Sequence, residues 1–238
     1  YLTVDAITAF RAQLALYLHD YQTASNLAKS LYGTYALVDT KEAMENMWFQ
    51  DNSTENILQL EVLPATLSSV NAFSDYINAS WMESLGTFYC APIYVPEQKY
   101  IALYDNADIR KGIYIAEYTV NIGSNRLDGY LLNKFRGNTN LQTNTTTLGY
   151  RNRPKVFRVA DMYLIDAEAQ WRLGGDALTP LNVLRQSRGL APLQAADVAE
   201  GIKIGAIERD GTFKAIMEER MREFIGEGSR LYDLKRWG

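Results

Sequence analysis

The stretch that decides the fold is EERMREFIGEGSRLYDLKRWG, residues 218–238. Ten of its residues are charged, five acidic and five basic, and the two signs are interleaved. Large apolar residues lie between the charges, and those at helical spacing are Met217, Met221, Phe224 and Ile225. A charged helix that only contacts water would not carry so many large apolar residues. The pattern therefore predicts a packed helix whose acids and bases pair, some of them partly buried.

The order of charges in this stretch resembles the C-terminal signature of the SusD/RagB family, E-R-x-x-E-x-x-x-E-G-x-R-x-x-D-L-x-R. A second stretch, residues 156–190, resembles the paired-helix block of the same family. An Arg there leads a helix that ends in Ala-Glu-Ala, and an N-x-x-R element follows. Arg158, residues 167–169, Asn182 and Arg185 stand at those positions.

Two earlier stretches extend the resemblance toward the start of the chain. KYIALYDNADIRKG, residues 99–112, resembles the segment in which a short helix precedes D-x-R, here Asp108 and Arg110. AFRAQLALYLHDYQTASNLAKSLY, residues 9–32, resembles the family's tetratricopeptide-like helical hairpin. The four stretches occur in the family's order, so the resemblance covers nearly the whole chain.

The resemblance implies a mainly α fold, namely a SusD-like α-helical fold with tetratricopeptide-like helical hairpins and a loop-rich middle region with a few short strands. Members of this family are outer-membrane nutrient-binding lipoproteins of Bacteroidetes. It therefore implies a surface-exposed, lipid-anchored protein, a glycan or oligosaccharide ligand and a SusC-like TonB-dependent transporter as partner. Because family chains carry a signal peptide, a lipidated cysteine and further helices, and usually run past the D-L-x-R element, we expect this chain to be a fragment that lacks the N-terminal part and the extreme C-terminus.

Composition is compatible with this fold and argues against several other functions. The chain has 238 residues, 47% of them hydrophobic, and a net charge of −4, which is typical of a folded globular protein. The acidic balance does not favour nucleic acid or an anionic membrane surface as a partner. A lone cysteine, Cys90, excludes an internal disulfide and a multi-cysteine metal cluster. We expect no cofactor and no metal.

The pattern of apolar residues predicts one domain, residues 1–238, in three parts. Residues 1–40 form the helical hairpin, with an apolar stripe on its first helix and Asp20 as N-cap of its second. Residues 41–150 form a loop-rich middle with short strands expected over residues 57–63, 114–120 and 130–135, because apolar residues alternate there and turn signals lie at 123–129. Residues 151–238 are helical, with one helix from Val156 that ends at Gly174 and a second helix capped by Thr179. The tryptophans expected in the core are Trp48, Trp171 and Trp237. The stripe on the first helix consists of Ile7, Phe10, Leu14 and Tyr17.

The sequence contains no convincing catalytic set. The only histidine, His19, lies in the predicted hairpin turn, and no second histidine or cysteine lies near it in sequence to form a zinc site. Each acidic residue from Glu218 to Glu227 has an Arg within three or four positions, which favours structural ion pairs over the carboxyl pair of a glycoside hydrolase. We assign eight residues to such scaffold pairs: Arg158, Glu168, Arg185, Arg220, Glu223, Arg230, Asp233 and Arg236.

Aromatic residues provide the remaining functional clue, since 12% of the chain is aromatic. Sugars present flat apolar faces that stack on Tyr and Trp rings, while polar side chains take their hydroxyl groups. Residues 64–96 combine both kinds of group, although core packing is the simpler explanation for any single ring. We choose Trp81 and Tyr89 because their stretch looks irregular. The complete set of predicted ligand residues is Trp81, Tyr89, Tyr76, Tyr94 and Asn78.

These observations favour a non-catalytic protein that binds glycans or related nutrient oligomers and delivers them to the transporter. Two alternatives remain open. A tetratricopeptide-type scaffold would bind a protein partner and would expose a broad apolar surface. A glycoside hydrolase fragment would need two carboxyl groups in an open groove, free of Arg partners.

Overall fold

The computed structural model describes residues 2–62, 77, 79–82, 87–122, 125–141 and 150–238. The chain folds into two compact units. Unit 1 consists of residues 1–39, 54–59 and 155–238, and unit 2 of residues 40–53 and 60–154. The predicted single domain over residues 1–238 stays a prediction.

Unit 1 is mainly helical. Its helices and strands, in chain order, are α1 (Val4–Tyr17), α2 (Tyr21–Lys29), β1 (Asn56–Gln59), β6 (Lys155–Arg158), α5 (Val159–Leu173), α6 (Leu178–Ser187), β7 (Ile202–Ile204), β8 (Ile207–Arg209), α7 (Gly211–Glu223) and α8 (Arg230–Trp237). A 3-10 turn, Ala195–Val198, precedes β7. The two strand pairs, β1 with β6 and β7 with β8, are both antiparallel.

The helical hairpin at the start of unit 1 forms as predicted. Asp20 caps α2, because its carboxylate accepts a hydrogen bond of 3.1 Å from the backbone N–H of Thr23. Ala24 and Ala28 are fully buried, and these small residues let α2 approach its neighbours closely. α2 packs against both α1 and α5.

The apolar stripe predicted on α1 does not face this core. The buried side of α1 is made of small residues, Ala6, Ala9, Ala12 and Ala15, together with Leu16. The large residues lie on the other side and are exposed: Ile7 by 45%, Phe10 by 53%, Leu14 by 42% and Tyr17 by 36%. The periodicity is that of a helix, but close packing against α2 selects the alanine side.

Two boundaries in unit 1 differ from the sequence prediction for one reason. The helix expected from Val156 begins at Val159, because residues 155–158 form β6. The strand expected over residues 57–63 ends at Gln59, because it extends only as far as its pairing with β6. Ile57 is buried on this strand while Leu60, expected on the buried face, is 49% exposed.

Unit 2 combines helices with a small sheet. Its elements are α3 (Lys41–Phe49), β2 (Ala79–Met82), β3 (Thr87–Cys90), α4 (Gln98–Ile101), β4 (Ile115–Ile122) and β5 (Asn125–Leu132), with a 3-10 turn at Thr139–Leu141. The strands form one sheet in the order β2-β3-β4-β5. The strand predicted over residues 114–120 corresponds to β4, whereas the one predicted over residues 130–135 overlaps β5 only at residues 130–132. The turn expected over residues 123–129 is wrong from Asn125 onward, because β5 begins there; residues 123 and 124 lie outside the described residues.

Two buried polar arrangements stabilise unit 2. Arg110 donates from Nε and Nη2 to both carboxylate oxygens of Asp108, at 2.8 and 2.7 Å, and both side chains are fully buried. The ammonium of Lys134 lies 3.9 Å from the ring centre of Tyr114 and 4.4 Å from that of Trp48. The D-x-R element follows the short helix α4, as the resemblance implied.

The predicted mainly α class with a few short strands is confirmed. Among the described residues, no helix combines the length and the apolar character needed to cross a bilayer.

Candidate functional site: the sheet of unit 2 and the charged cluster of unit 1

The five predicted ligand residues are distributed unevenly in the structure. Tyr76 and Asn78 lie outside the described residues. Trp81 lies on β2 and Tyr89 on β3, so residues 79–82 and 87–90 are paired strands and not the irregular stretch that we expected. Tyr94 follows β3 and is 60% exposed.

The register of β2 and β3 separates the two chosen aromatic positions. Trp81 pairs with Phe88, and Tyr89 pairs with Ser80. Directly paired residues lie on the same face of an antiparallel ladder, and successive residues alternate between faces. The positions of Trp81 and Tyr89 therefore lie on opposite faces. Their role in ligand binding stays a prediction.

One face of this sheet belongs to the core of unit 2. Cys90 is fully buried there with Val120 and Leu131. Burial raises the pKa of the Cys90 thiol to about 11, so this cysteine is a packed residue and not a thiolate nucleophile. Burial also raises the pKa of Tyr118, on the same face, to about 12. The position of Trp81 shares this face with Cys90, because Phe88 and Cys90 are two residues apart.

The opposite face carries polar and charged groups over most of its length, and the buried residues Ile115 and Leu132 lie at one end of it. Register places the following residues on this surface, which we call the outer sheet face: Ser80, Tyr89, Glu117, Thr119, Arg126, Asp128 and Tyr130. Glu117, Arg126 and Asp128 are exposed. Thr119 donates a hydrogen bond of 2.9 Å to Asp128 across β4 and β5. Carboxylates, a guanidinium and hydroxyl groups beside tyrosine positions are the groups that take sugar hydroxyls and sugar faces.

Charged residues of unit 1 form a buried cluster of ion pairs. Arg158 donates to Glu55 at 3.0 Å, to Glu223 at 2.5 Å and to Glu227 at 2.7 Å. Arg188 donates to Glu55 at 2.9 Å and to Glu223 at 3.1 Å. The carboxylate of Glu55 also accepts a hydrogen bond from the backbone N–H of Val38 at 3.0 Å, so the cluster joins five separate segments of unit 1.

A second set of pairs holds α8 against α5 and α7. Arg220 donates to Asp233 at 3.0 Å and to Asp161 at 3.2 Å. Burial alone would lower the pKa of Arg220, but these two carboxylates outweigh it and raise the pKa above its ordinary value. Arg236 donates hydrogen bonds to both carboxylate oxygens of Glu168, at 3.0 and 2.7 Å. Asp233 also lies 3.0 Å from Arg236.

The remaining two predicted scaffold residues are less tightly held. Arg185 lies 3.4 Å from the buried carboxylate of Glu219. The guanidinium of Arg230 lies 5.4 Å from the ring centre of Trp237, which is a cation–π contact. These ion pairs crosslink helices of unit 1. Their carboxylates are engaged by guanidinium groups.

The described part of the chain shows no cluster suited to metal binding. Over residues 2–62, 77, 79–82, 87–122, 125–141 and 150–238, no group of three or more His, Cys, Asp or Glu side chains could hold a metal ion. His19 lies in the α1–α2 turn with a φ of 63°, a left-handed conformation.

Comparison with known proteins decides the family. The sequence model of the SusD family matches residues 77–238, which include the sheet of unit 2 and the charged cluster of α7 and α8. The chain belongs to the SusD family.

Relatives of this SusD-family chain agree in fold. The SusD-like protein P25 of Formosa agariphila is 33% identical over 95 residues, which cover 40% of this chain and 17% of that protein. A SusD superfamily protein of Bacteroides thetaiotaomicron matches with a TM-score of 0.72 at 22% identity, over 100% of this chain and 50% of its own. The chain spans about half the length of the solved structures that it matches.

A third similar structure contains a bound oligosaccharide. Surface glycan-binding protein A of Bacteroides thetaiotaomicron, solved in complex with laminarihexaose, matches with a TM-score of 0.68 at 21% identity. The match covers 99% of this chain and 55% of that one. At this level of identity the likeness establishes the shared fold.

Sequence reasoning missed two central residues of the buried cluster, Glu55 and Arg188. Arg188 had a usable signal, because it follows Arg185 by three residues and so shares its side of α6. Glu55 had none. It is 168 residues distant from Glu223 in sequence, and only the fold brings the two to the same guanidinium groups.

Proposed function

We propose that this SusD-family chain is the binding part of a non-catalytic protein that captures glycans or related nutrient oligomers at the cell surface. The full-length protein is lipid-anchored at the cell outer membrane and delivers its ligand to a SusC-like TonB-dependent transporter. The observation that carries this proposal is family membership over residues 77–238. A relative of the same fold that was solved with laminarihexaose supports glycans as the ligand class.

We assign ligand contact to unit 2, at the outer sheet face and the neighbouring predicted residues. The outer sheet face offers exposed carboxylates and a guanidinium for sugar hydroxyls, and it includes the position of Tyr89. Tyr94 supports the assignment, since it is an exposed aromatic residue close to Tyr89 in sequence. Tyr76 and Asn78 belong to the same proposed site.

A non-catalytic role is supported by the burial and ion pairing of carboxylates in unit 1. A glycoside hydrolase needs two carboxyl groups that face one another across an open groove and can exchange protons with the substrate. Glu223 and Asp233 are instead buried and held by guanidinium groups. Structural crosslinking accounts for both.

The proposal is tested by titration calorimetry of the full chain against a panel of glycans that includes laminarihexaose. Tyr89→Ala and Trp81→Ala are a matched pair, because each removes one aromatic ring from adjacent strands. We expect saturable binding without product release. Tyr89→Ala should weaken it about tenfold, since one stacking contact contributes roughly 1–1.5 kcal/mol.

Trp81→Ala, at a position on the other face of the sheet, should lower the affinity less than Tyr89→Ala does. A larger loss of affinity for Trp81→Ala than for Tyr89→Ala would move the site to the other face of the sheet. Release of shorter sugars would refute the non-catalytic role, and absence of binding to every glycan would refute glycans as the ligand.

A protein-interaction scaffold is the second candidate function, and the exposed side of α1 favours it. Ile7, Phe10, Leu14 and Tyr17 are spaced three, four and three residues apart, the spacing with which one helix packs along another. We assign this side of α1 to a protein partner. Replacing Phe10 and Leu14 by Gln should abolish co-purification with that partner while glycan affinity stays unchanged.

A further inference from the structure

The segment that contains the five predicted ligand residues is acidic. Residues 64–96 have no Lys, Arg or His and two carboxylic acids, Asp75 and Glu83. The same absence of cationic residues extends over residues 42–98, although the chain as a whole has 24 Lys and Arg. Asp75 and Glu83 lie outside the described residues, and they add two negative charges to this segment. Proteins hold acidic sugars with charge-assisted hydrogen bonds from Arg or Lys, and this segment supplies neither.

The outer sheet face adds exposed carboxylates to the proposed site. Glu117 on β4 and Asp128 on β5 are both exposed. Glu117 pairs with Tyr130, and Asp128 pairs with Thr119. The two carboxylates therefore occupy diagonal positions on neighbouring strands, roughly 7 Å apart.

Arg126 does not make this face cationic. It lies two residues from Asp128 on β5, about 7 Å along the strand and on the same face. Together with Glu117, these exposed side chains carry a net charge of −1. A ligand carboxylate that contacted Arg126 would also lie near Asp128, and like charges at such a distance repel each other.

The hydrogen-bonding capacity of this face also favours an uncharged ligand. An ionised carboxylate only accepts hydrogen bonds, so it needs donors from the ligand. Asp128 accepts one hydrogen bond from the Thr119 hydroxyl at 2.9 Å, and a carboxylate has room for several more. Sugar hydroxyls can donate to these acceptors, whereas the carboxylate of a uronic acid cannot.

We infer that the proposed glycan site takes neutral oligosaccharides and excludes acidic ones, with Glu117 and Asp128 as the residues that determine this specificity. This selectivity rests on the proposed function, because it requires that the outer sheet face contacts the glycan. It narrows the ligand class from glycans in general to those without uronic acids.

The experiment is titration calorimetry of the full chain with matched pairs of oligosaccharides. Laminarihexaose, cellohexaose and mannohexaose are each compared with the same oligosaccharide oxidised at C6 to the uronic acid. In every pair that binds, the neutral member should bind at least tenfold more tightly at about 0.1 M ionic strength. The ratio of affinities should fall in about 1 M salt, where the screening length is about 3 Å, because the exclusion is electrostatic.

Two carboxylate-to-amide substitutions test the assigned residues. The double variant Glu117→Gln, Asp128→Asn should reduce the ratio of neutral to acidic affinity at least threefold. Glu208→Gln removes an exposed carboxylate of unit 1 and should leave this ratio unchanged. Thermal melting checks that each variant is folded, and Glu117→Gln alone replaces the double variant if the latter does not fold.

Acidic members that bind as tightly as their neutral counterparts would overturn the selectivity and leave the proposed glycan function standing. A ratio that stays the same in high salt, or in a folded Glu117 variant, would overturn the assignment to these carboxylates. If no oligosaccharide of either kind binds, the proposed glycan function itself is refuted, and the selectivity with it.

Discussion

Helices α1 and α7 of unit 1 reverse the usual distribution of residue types in opposite ways. α7 buries charged residues, among them Glu219, Arg220 and Glu223. α1 exposes most of its large apolar residues and buries four alanines and Leu16. Both helices have the periodicity of an amphipathic helix, so periodicity alone does not tell which side is buried.

The two helices differ in the contacts that their buried sides make within unit 1. Buried charges are tolerated on α7 because each has a partner of opposite sign from another segment. The alanine side of α1 is buried because it permits close approach to α2, whereas the large side chains would hold the helices apart. Partner availability and contact distance, and not residue polarity, decide the buried side.

The largest effect should come from breaking the buried cluster on α7. Glu223→Gln removes the charge that Arg158 and Arg188 share, and leaves two guanidinium groups underpaired in the core. We expect a loss of about 3–5 kcal/mol in the free energy of unfolding, measured by denaturant titration. Glu218→Gln is the matched control on the same helix and should change this energy by less than about 0.5 kcal/mol. Equal losses would refute the distinction.

The two sides of α1 can be compared by one substitution made twice. Leu16 is 1% exposed and Leu14 is 42% exposed. Leu16→Ala should cost about 2–5 kcal/mol, because it leaves a cavity between α1 and its neighbours. Leu14→Ala should cost less than about 1 kcal/mol, since the side chain already contacts water. If Leu14→Ala were the more destabilising variant, the orientation of α1 would be wrong.

The sequence predicted what depends on local pattern. The hairpin with its Asp20 cap, the end of α5 at Gly174 and the strand β4 follow from spacing and turn residues. Of the three tryptophans expected in the core, Trp48 and Trp237 are 2% and 1% exposed, while Trp171 is only partly buried. Each of these features is decided by residues within a few positions of one another.

What the sequence did not predict depends on distant partners. The pairing of β1 with β6 shortened one predicted strand and delayed one predicted helix, because the partners lie about a hundred positions apart. The same holds for the candidate ligand face. The register of β2 and β3 puts Trp81 and Tyr89 on opposite faces, and composition carries no information about register.

A smaller effect is expected from an exposed charge at a helix end. Thr179 was the predicted cap of α6, but the N-cap position is Ala177 and the capping side chain is that of the preceding residue, Asp176. Asp176 accepts hydrogen bonds from the Thr179 N–H at 3.1 Å and the Thr179 hydroxyl at 2.5 Å. Asp176→Ala should cost about 1 kcal/mol. The hydrogen bonds from Thr179 lower the pKa of Asp176.

This pKa direction fixes the pH dependence of the Asp176 effect. A carboxyl whose pKa is lower in the folded state stabilises the protein fully above its unfolded value of about 3.9, and loses that contribution as the pH falls through the folded value. The difference in unfolding free energy between wild type and Asp176→Ala should thus be constant above about pH 5. It should shrink below about pH 4. A difference that grows on acidification would contradict the assigned cap.

The smallest effect should come from an exposed ion pair of unit 2. Arg153 and Glu61 lie 2.7 Å apart, the same distance as Arg236 and Glu168, but Glu61 is 61% exposed and Glu168 is fully buried. Water screens the exposed pair and competes for its hydrogen bonds, so Glu61→Gln should cost less than about 1 kcal/mol. That cost should vanish in about 1 M salt, where the screening length falls to about 3 Å. A loss as large as that of Glu223→Gln would mean that distance, and not burial, decides what a charge contributes to this fold.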